Sequence, residues 1–99
     1  MEIKQSLEGK RLTLSLIGEL NTESAPSFEE VIKSSLAGID SLILDMKELT
    51  YLTSAGLRIL LVAQKIMKGQ GEMKIRHVNA DVKEVFFLTG FNNVLEIED

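Results

Sequence analysis

The sequence predicts an α/β domain with a mixed, partly parallel β-sheet and helices packed against it, in the order β-β-α-β-α-β-α-β. Two short segments near the start alternate apolar and polar residues around a glycine, which is the pattern of a β-hairpin. The later strand-like segments are separated by stretches whose apolar residues recur at helical spacing, as parallel strands joined by helices require. With 99 residues, 44% of them hydrophobic, the chain suits one domain over residues 1–99, because this length can bury a single core.

The first half of the chain predicts the hairpin and then an amphipathic helix. Alternation over residues 3–7 and again over Arg11 to Ile17 indicates two strands, joined by a turn at Glu8-Gly9-Lys10. Pro26 presets the backbone angle near a helix start, and the apolar residues that follow recur at helical spacing as far as Gly38.

The second half predicts three strands and two helices. Ser41 to Met46 is apolar without alternation, which is typical of a strand covered on both faces or placed centrally in a sheet. A helix follows over Leu57 to Lys68, so that Ser54 lies at its start, and much of its circumference is apolar. The remaining elements are a strand over Met73 to Val78, a helix capped by Asn79 and ended by Gly90, and a last strand over Val94 to Ile97.

Composition and charge exclude several classes of function. The formal net charge of −4 argues against a nucleic-acid-binding protein, because such proteins neutralise phosphates with clustered basic residues. The absence of cysteine removes disulfides and thiolate ligands and fits a reducing compartment. No apolar run approaches the ~20 residues of a membrane span, and no signal-peptide pattern is present. We therefore expect a cytoplasmic protein without membrane insertion. The short, acidic, cysteine-free sequence also contains no apolar run that looks exposed, which fits a monomer when free.

The middle of the chain is locally basic. Residues 51–78 carry one acidic residue and five basic ones. A solvated helix face and a contact surface for an acidic partner both explain this excess. The basic residues are Arg58, Lys65, Lys68, Lys74 and Arg76.

The residues that could carry enzyme chemistry are few. His77 is the single histidine and falls inside a predicted strand without an evident serine or carboxylate partner, which favours a structural or surface role. Asp45 and Glu48 form a weak pair for metal binding, and the glycines match no nucleotide-binding motif. We therefore predict a protein that is not an enzyme and that holds no metal or cofactor.

Ser54 is the candidate site with the most interpretations. A hydroxyl at a helix N-terminus can cap the helix, act as a nucleophile or accept a phosphoryl group. The surrounding Leu52-Thr53-Ser54-Ala55-Gly56 is not the nucleophile elbow of a hydrolase. Gly56 costs ~1 kcal/mol in a helix relative to alanine, which indicates close approach either by the protein's own core or by a partner.

The segment from Asp45 to Leu57, DMKELTYLTSAGL, resembles the signature of the STAS domain as found in bacterial anti-sigma factor antagonists. Gly18-Glu19-Leu20-Asn21, with the following Ala25-Pro26, is similar to that family's second signature. Gly69-Gln70-Gly71 before a strand is similar to its third. The resemblance extends over essentially the whole chain.

The resemblance implies a regulatory binding protein. A serine at the start of the second long helix, here Ser54, would be phosphorylated by a partner kinase. The unphosphorylated form would bind an anti-sigma factor, often itself the serine-protein kinase, and so release a sigma factor. A PP2C-type phosphatase would reverse the modification. The candidate partner-binding residues are Asn21, Thr53, Ser54, Ala55, Gly56 and Arg58.

Two positions depart from the family's usual pattern. Thr53 stands where an acidic residue often precedes the serine, and Asn21 stands where the second strand often ends in aspartate. Both departures remove a negative charge and make Thr53 an alternative acceptor. They also leave open a non-phosphorylated accessory subunit of a transport complex, or a domain that senses a small molecule.

Overall fold

A five-stranded sheet with three helices is built from residues 1–98, the part of the chain that the computed structural model describes. The strands lie in the order β1-β2-β3-β4-β5, with β1 antiparallel to β2 and the other neighbours parallel. The predicted fold class and element order are therefore confirmed. The elements are β1 (Glu2–Glu8), β2 (Arg11–Leu20), α1 (Ala25–Ser35), β3 (Ser41–Leu52), α2 (Ser54–Lys68), β4 (Glu72–Arg76), α3 (Ala80–Thr89), a 3-10 turn (Phe91–Asn93) and β5 (Glu96–Glu98).

The core forms between the helices and one face of the sheet. Alternate residues of β2 and β3 point into it, because successive side chains of a strand face opposite sides. The apolar residues of all three helices complete the same cluster, which includes Leu14, Leu44, Phe28, Leu60 and Phe86. β3 lies in the middle of the sheet and contributes to this cluster along its length. The core therefore holds the end of β3 in place, and with it the residues that follow β3 in the chain.

β3 extends six positions beyond the predicted end at Met46. In that extension the pairing with β2 shifts register twice, and each time β3 advances by one residue more than β2 does. The buried residues Leu49 and Leu52 consequently follow at a spacing of three instead of two. That spacing hides a strand from pattern analysis, because alternation of two is the strand signal.

The strand predicted over Met73 to Val78 was too long, and the partner of His77 was missed. β4 ends at Arg76, and His77 has a left-handed φ of 61°, which stops the extended chain. The His77 Nδ1 atom lies 3.0 Å from Asp45 Oδ1. Burial tends to raise the pKa of Asp45, but hydrogen bonds from the Lys47 backbone N–H and the His77 ring prevail and lower it.

The caps of α3 confirm the sequence prediction. Asn79 Oδ1 accepts a hydrogen bond from the Val82 backbone N–H at 2.8 Å, and Gly90 ends the helix with a φ of 76°. Asn79 Nδ2 also donates to the Leu49 carbonyl, which ties the helix to β3. None of the helices within residues 1–98 is long and apolar enough to cross a bilayer.

A pair of exposed apolar side chains on α3 was not foreseen. Phe87 and Leu88 are 70% and 72% exposed, although the sequence suggested no exposed apolar run. The core side of α3 carries Val82 and Phe86, both buried, so the two exposed residues lie beyond it on the outer side of the helix.

The connection before β4 depends on a glycine that touches backbone. Gln70 donates from its amide to the carbonyl oxygens of Leu36 and Ile39, which fixes the connection between α1 and β3. Directly after it, a Cβ atom at Gly71 would lie 2.0 Å from the Asp40 carbonyl oxygen. Two neighbouring connections are therefore held together at this point by backbone contact.

Candidate functional site

The candidate site lies at the edge of the sheet where β2 and β3 end. Leu20 and Leu52 are paired in the parallel register, and the Thr53 backbone N–H donates to the Leu20 carbonyl at 3.0 Å. Asn21 and Thr53 therefore begin two neighbouring connections. The carboxyl ends of parallel strands are where α/β proteins commonly place binding residues.

Ser54 is the first residue of α2 and is exposed to solvent. Within residues 1–98 its hydroxyl forms no hydrogen bond. The first turn of a helix leaves backbone N–H groups unpaired and carries the positive end of the helix dipole. An accessible hydroxyl at this place can take a phosphoryl group next to donors that favour negative charge.

Thr53 differs from its neighbour in accessibility. It occupies the N-cap position and is half-buried, but among residues 1–98 its side chain makes no capping hydrogen bond to α2. Its Oγ1 atom lies 3.5 Å from the Leu20 carbonyl oxygen, a long contact that directs the hydroxyl toward the end of β2. Capping by Thr53 therefore does not account for this pair of hydroxyls.

Asn21 holds its own connection together. Its Oδ1 atom accepts from the backbone N–H groups of Glu23 and Ser24, at 3.0 and 3.1 Å, and its backbone N–H donates to Ser24 Oγ. A carboxylate oxygen accepts in the same geometry, so asparagine keeps the bonds that aspartate would make and lacks only its charge. This residue is half-buried, and its contact with a partner stays a prediction.

Gly56 has an internal reason to lack a side chain. The residue is buried, and a Cβ atom there would lie 2.5 Å from Leu20 Cγ and 2.7 Å from Leu52 Cδ1. The close approach inferred from the sequence is therefore met by the ends of β2 and β3. The sequence left open close approach either by the protein's own core or by a partner, and these contacts support packing against the core.

Substitution Gly56→Ala should lower the free energy of unfolding by roughly 1 to 2 kcal/mol, because overpacking outweighs the gain in helix propensity. Urea unfolding at constant m value measures it. The matched variant is Gly56→Ala combined with Leu20→Ala, in which the space opened at Leu20 should shrink or reverse the penalty of the added methyl group. Equal penalties in both backgrounds would contradict this packing explanation.

Arg58 and Ala55 complete the predicted set of contact residues. Ala55 is half-buried and packs against the core. The Arg58 side chain is 61% exposed, and its Nη2 atom lies 3.2 Å from Glu29 Oε1 on α1. Lys33 Nζ lies 3.1 Å from the other oxygen of Glu29. Arg58 first and Lys33 second lower the pKa of Glu29 through these hydrogen bonds.

The basic residues of the middle segment do not form one surface with Arg58. Lys74 and Arg76 alternate with the core residues of β4, so they lie on the opposite face of the sheet, where they pair with Glu96 and Glu98. Lys65 and Lys68 lie in the last turn of α2, at the end of the helix remote from Ser54. The local excess of positive charge in the sequence is therefore spread over separate surfaces.

The single histidine of the sequence lies far along β3 from Ser54. His77 is paired with Asp45, and β3 runs on from Asp45 to Leu52 over roughly 20 Å of extended chain before Ser54 is reached. A base must lie within hydrogen-bonding reach of the hydroxyl it activates.

The sequence did not predict that Glu29 is the partner of Arg58. Only the spacing of Glu29 to Lys33, one helix turn along α1, is visible as a pattern.

The sequence matches the model of the STAS domain family over residues 1–99. BtrV of Bordetella bronchiseptica, which is named as a candidate anti-sigma factor antagonist, is 33% identical over 88 residues. The matched region covers 87% of this chain and 76% of BtrV.

Solved structures share the fold. An anti-sigma factor antagonist from Mycobacterium paratuberculosis has a TM-score of 0.88 at 20% identity, over 97% of this chain and 83% of that one. The Bacillus cell fate determinant SpoIIAA, solved in its phosphorylated form, has a TM-score of 0.76 at 14% identity, over 99% of this chain and 92% of that one. At these identities the likeness is one of fold.

Proposed function

This chain belongs to the STAS domain family, and we propose from that premise that it is an anti-sigma factor antagonist switched by phosphorylation of Ser54. The unphosphorylated form binds an anti-sigma factor that is also a serine-protein kinase, which frees the sigma factor. A PP2C-type phosphatase restores the binding form, and the cycle takes place in the cytoplasm. The relative BtrV supports the class of function, and the phosphorylated form of SpoIIAA supports this kind of switch on the same fold.

The exposed Ser54 hydroxyl is the observation that carries the proposal. It lies at the N-terminus of α2 without a hydrogen bond to any described residue, whereas Thr53 is half-buried and faces the Leu20 carbonyl. A kinase must bring the acceptor oxygen in line with the γ-phosphorus of ATP, which favours an accessible side chain. We therefore place the modification on Ser54 in preference to Thr53.

The switch works through charge. Transfer of the γ-phosphoryl group forms a bond between phosphorus and Ser54 Oγ, breaks the β–γ phosphoanhydride bond and releases ADP and the hydroxyl proton. The added group carries ~1.5 to 2 negative charges at pH 7, which the helix N-terminus tolerates. A partner that packs on this surface must desolvate the phosphate or face it with its own acidic groups, so binding weakens while the fold is kept.

A second candidate function is a non-phosphorylated subunit of a transport complex. The observation in its favour is the exposed pair Phe87 and Leu88 on α3, since large exposed apolar side chains are common where another protein docks. Under this alternative Ser54 has no modification, and the phosphorylation assay described next separates the two functions.

Incubation with ATP and a purified candidate anti-sigma factor kinase should place one phosphate on Ser54, located by tandem mass spectrometry. Ser54→Ala should abolish incorporation, whereas Thr53→Val, which keeps the shape and removes the hydroxyl, should leave it within about twofold of the wild type, since Ser54 remains accessible. Phosphate found on Thr53, or equal incorporation into Ser54→Ala, contradicts the assignment. If none of the genome's serine-kinase anti-sigma factors phosphorylates the protein, that result favours the transport subunit.

A further inference from the structure

Arg58 lies where it can reach a modified Ser54. The two residues are four positions apart on α2, so their side chains share one face of the helix, one turn apart. Side chains in a helix slant toward its N-terminus, which directs the Arg58 stem over the turn that contains Ser54. The guanidinium is therefore on the correct side of its own backbone to meet a group added to Ser54.

The present contact of Arg58 is easily exchanged. Its side chain is 61% exposed, and it meets Glu29 through Nη2, which lies 3.2 Å from Oε1. Exposed ion pairs between single charges are weak. A phosphate offers about two charges and three acceptor oxygens, which match the planar fork of a guanidinium better than one carboxylate oxygen does.

Glu29 does not lose its last cation when Arg58 leaves. Its other carboxylate oxygen lies 3.1 Å from Lys33 Nζ, one helix turn further along α1. The carboxylate is 23% exposed, and Lys33 can keep it partly neutralised. The exchange of Arg58 from Glu29 to a phosphate therefore leaves each acidic group with a basic neighbour.

We propose that phosphorylation of Ser54 transfers the Arg58 guanidinium from Glu29 to the phosphate, a regulatory exchange that rests on the function proposed above. The phosphate is then partly neutralised within the chain, and the carboxylate of Glu29 on α1 becomes more available to solvent. A partner surface matched to the unmodified protein meets two changes, a phosphate at the start of α2 and an altered charge on the neighbouring helix. In this exchange Arg58 positions the phosphate after it has been added to Ser54, and it has no part in the phosphoryl transfer.

The test uses the full chain with phosphoserine incorporated at position 54 during translation, so that it is independent of any kinase. The second pKa of phosphoserine is about 6 in an unperturbed setting, and a nearby cation lowers it. Titration followed by phosphorus NMR should give a pKa about half a pH unit higher in Arg58→Gln than in the chain with Arg58, a size that fits an exposed pair.

Lys65→Gln is the matched control. It removes one cation from the same helix, but from its last turn, remote from Ser54, so the phosphoserine pKa should stay at the unsubstituted value. The side-chain Nε–Hε resonance of Arg58 should also shift with the same midpoint as the phosphate. Identical phosphoserine pKa values with and without Arg58 would overturn the proposed exchange. So would an Arg58 resonance whose chemical shift stays constant while the phosphate titrates. A kinase that fails to modify Ser54 would instead count against the proposed function and leave this result as it stands.

Discussion

Ser54→Asp is expected to fold normally and to bind the anti-sigma factor about 30- to 150-fold more weakly than the wild type, which corresponds to roughly 2 to 3 kcal/mol. The carboxylate puts a fixed negative charge on the exposed first turn of α2. At the helix N-terminus that charge is tolerated or slightly favourable within the free protein. At an interface the same charge has to be desolvated or placed against the partner's groups, and this is where the loss arises.

Binding to a purified candidate anti-sigma factor, measured by isothermal titration calorimetry, tests this expectation. Ser54→Asn is the sharpest control, because asparagine has nearly the shape of aspartate without its charge. Asn and Ala at position 54 should both bind within about fivefold of the wild type, since neither adds a charge to the interface. If Asp and Asn weaken binding equally, size and not charge controls the interface. Urea unfolding of all three variants confirms that each is folded.

Gly71→Ala is expected to destabilise the fold by roughly 3 kcal/mol, which is large for the addition of one methyl group. The added Cβ atom would lie 2.0 Å from the Asp40 carbonyl oxygen and 2.6 Å from the carbonyl carbon. Backbone cannot rotate away as a leucine side chain can. The Asp40 backbone N–H donates to the Lys10 carbonyl at 3.0 Å, and the Asp40 carbonyl accepts from the Glu72 N–H at 3.1 Å, so relief of the clash disturbs β-sheet connections on both sides.

Gly69→Ala provides the matched comparison two residues away. A Cβ atom at Gly69 would have the Ile66 carbonyl oxygen at 3.8 Å, an ordinary contact, and the residue has a φ of −84° that alanine adopts without strain. Its substitution should change the free energy of unfolding by less than about 0.5 kcal/mol. Similar urea midpoints for the two variants would show that the loop shifts cheaply and that the contact with Asp40 does not constrain it.

Local sequence signals predicted the elements wherever one pattern continued without interruption. α3 begins after Asn79 and ends at Gly90 as expected, because cap residues act on backbone groups within three or four positions of themselves. The last part of β3 was missed because its register shifts replace the spacing of two by a spacing of three. The shift depends on how β3 pairs with β2, which is distant in sequence and leaves no local mark.

The candidate site could be predicted in position but not in its contacts. The order of strand, serine and helix located Ser54, since it needs only the sequence on either side. The role of Gly56 required knowledge of Leu20 and Leu52, which arrive from the ends of two strands. The pairs of Arg58 with Glu29 and of His77 with Asp45 likewise join elements far apart in the chain, so no spacing rule could supply them.

The hydrogen bond from the Thr53 N–H to the Leu20 carbonyl has a consequence for the speed of regulation. This bond holds the start of α2 against the end of β2, and the bonds of Asn21 Oδ1 to Glu23 and Ser24 hold the neighbouring connection. A group added to Ser54 then meets a helix start whose backbone is already hydrogen-bonded to the neighbouring strand. Under the proposed switch, we therefore expect the response time of the regulator to follow the turnover of the enzymes that add and remove the phosphate, because side-chain motions are much faster than that turnover.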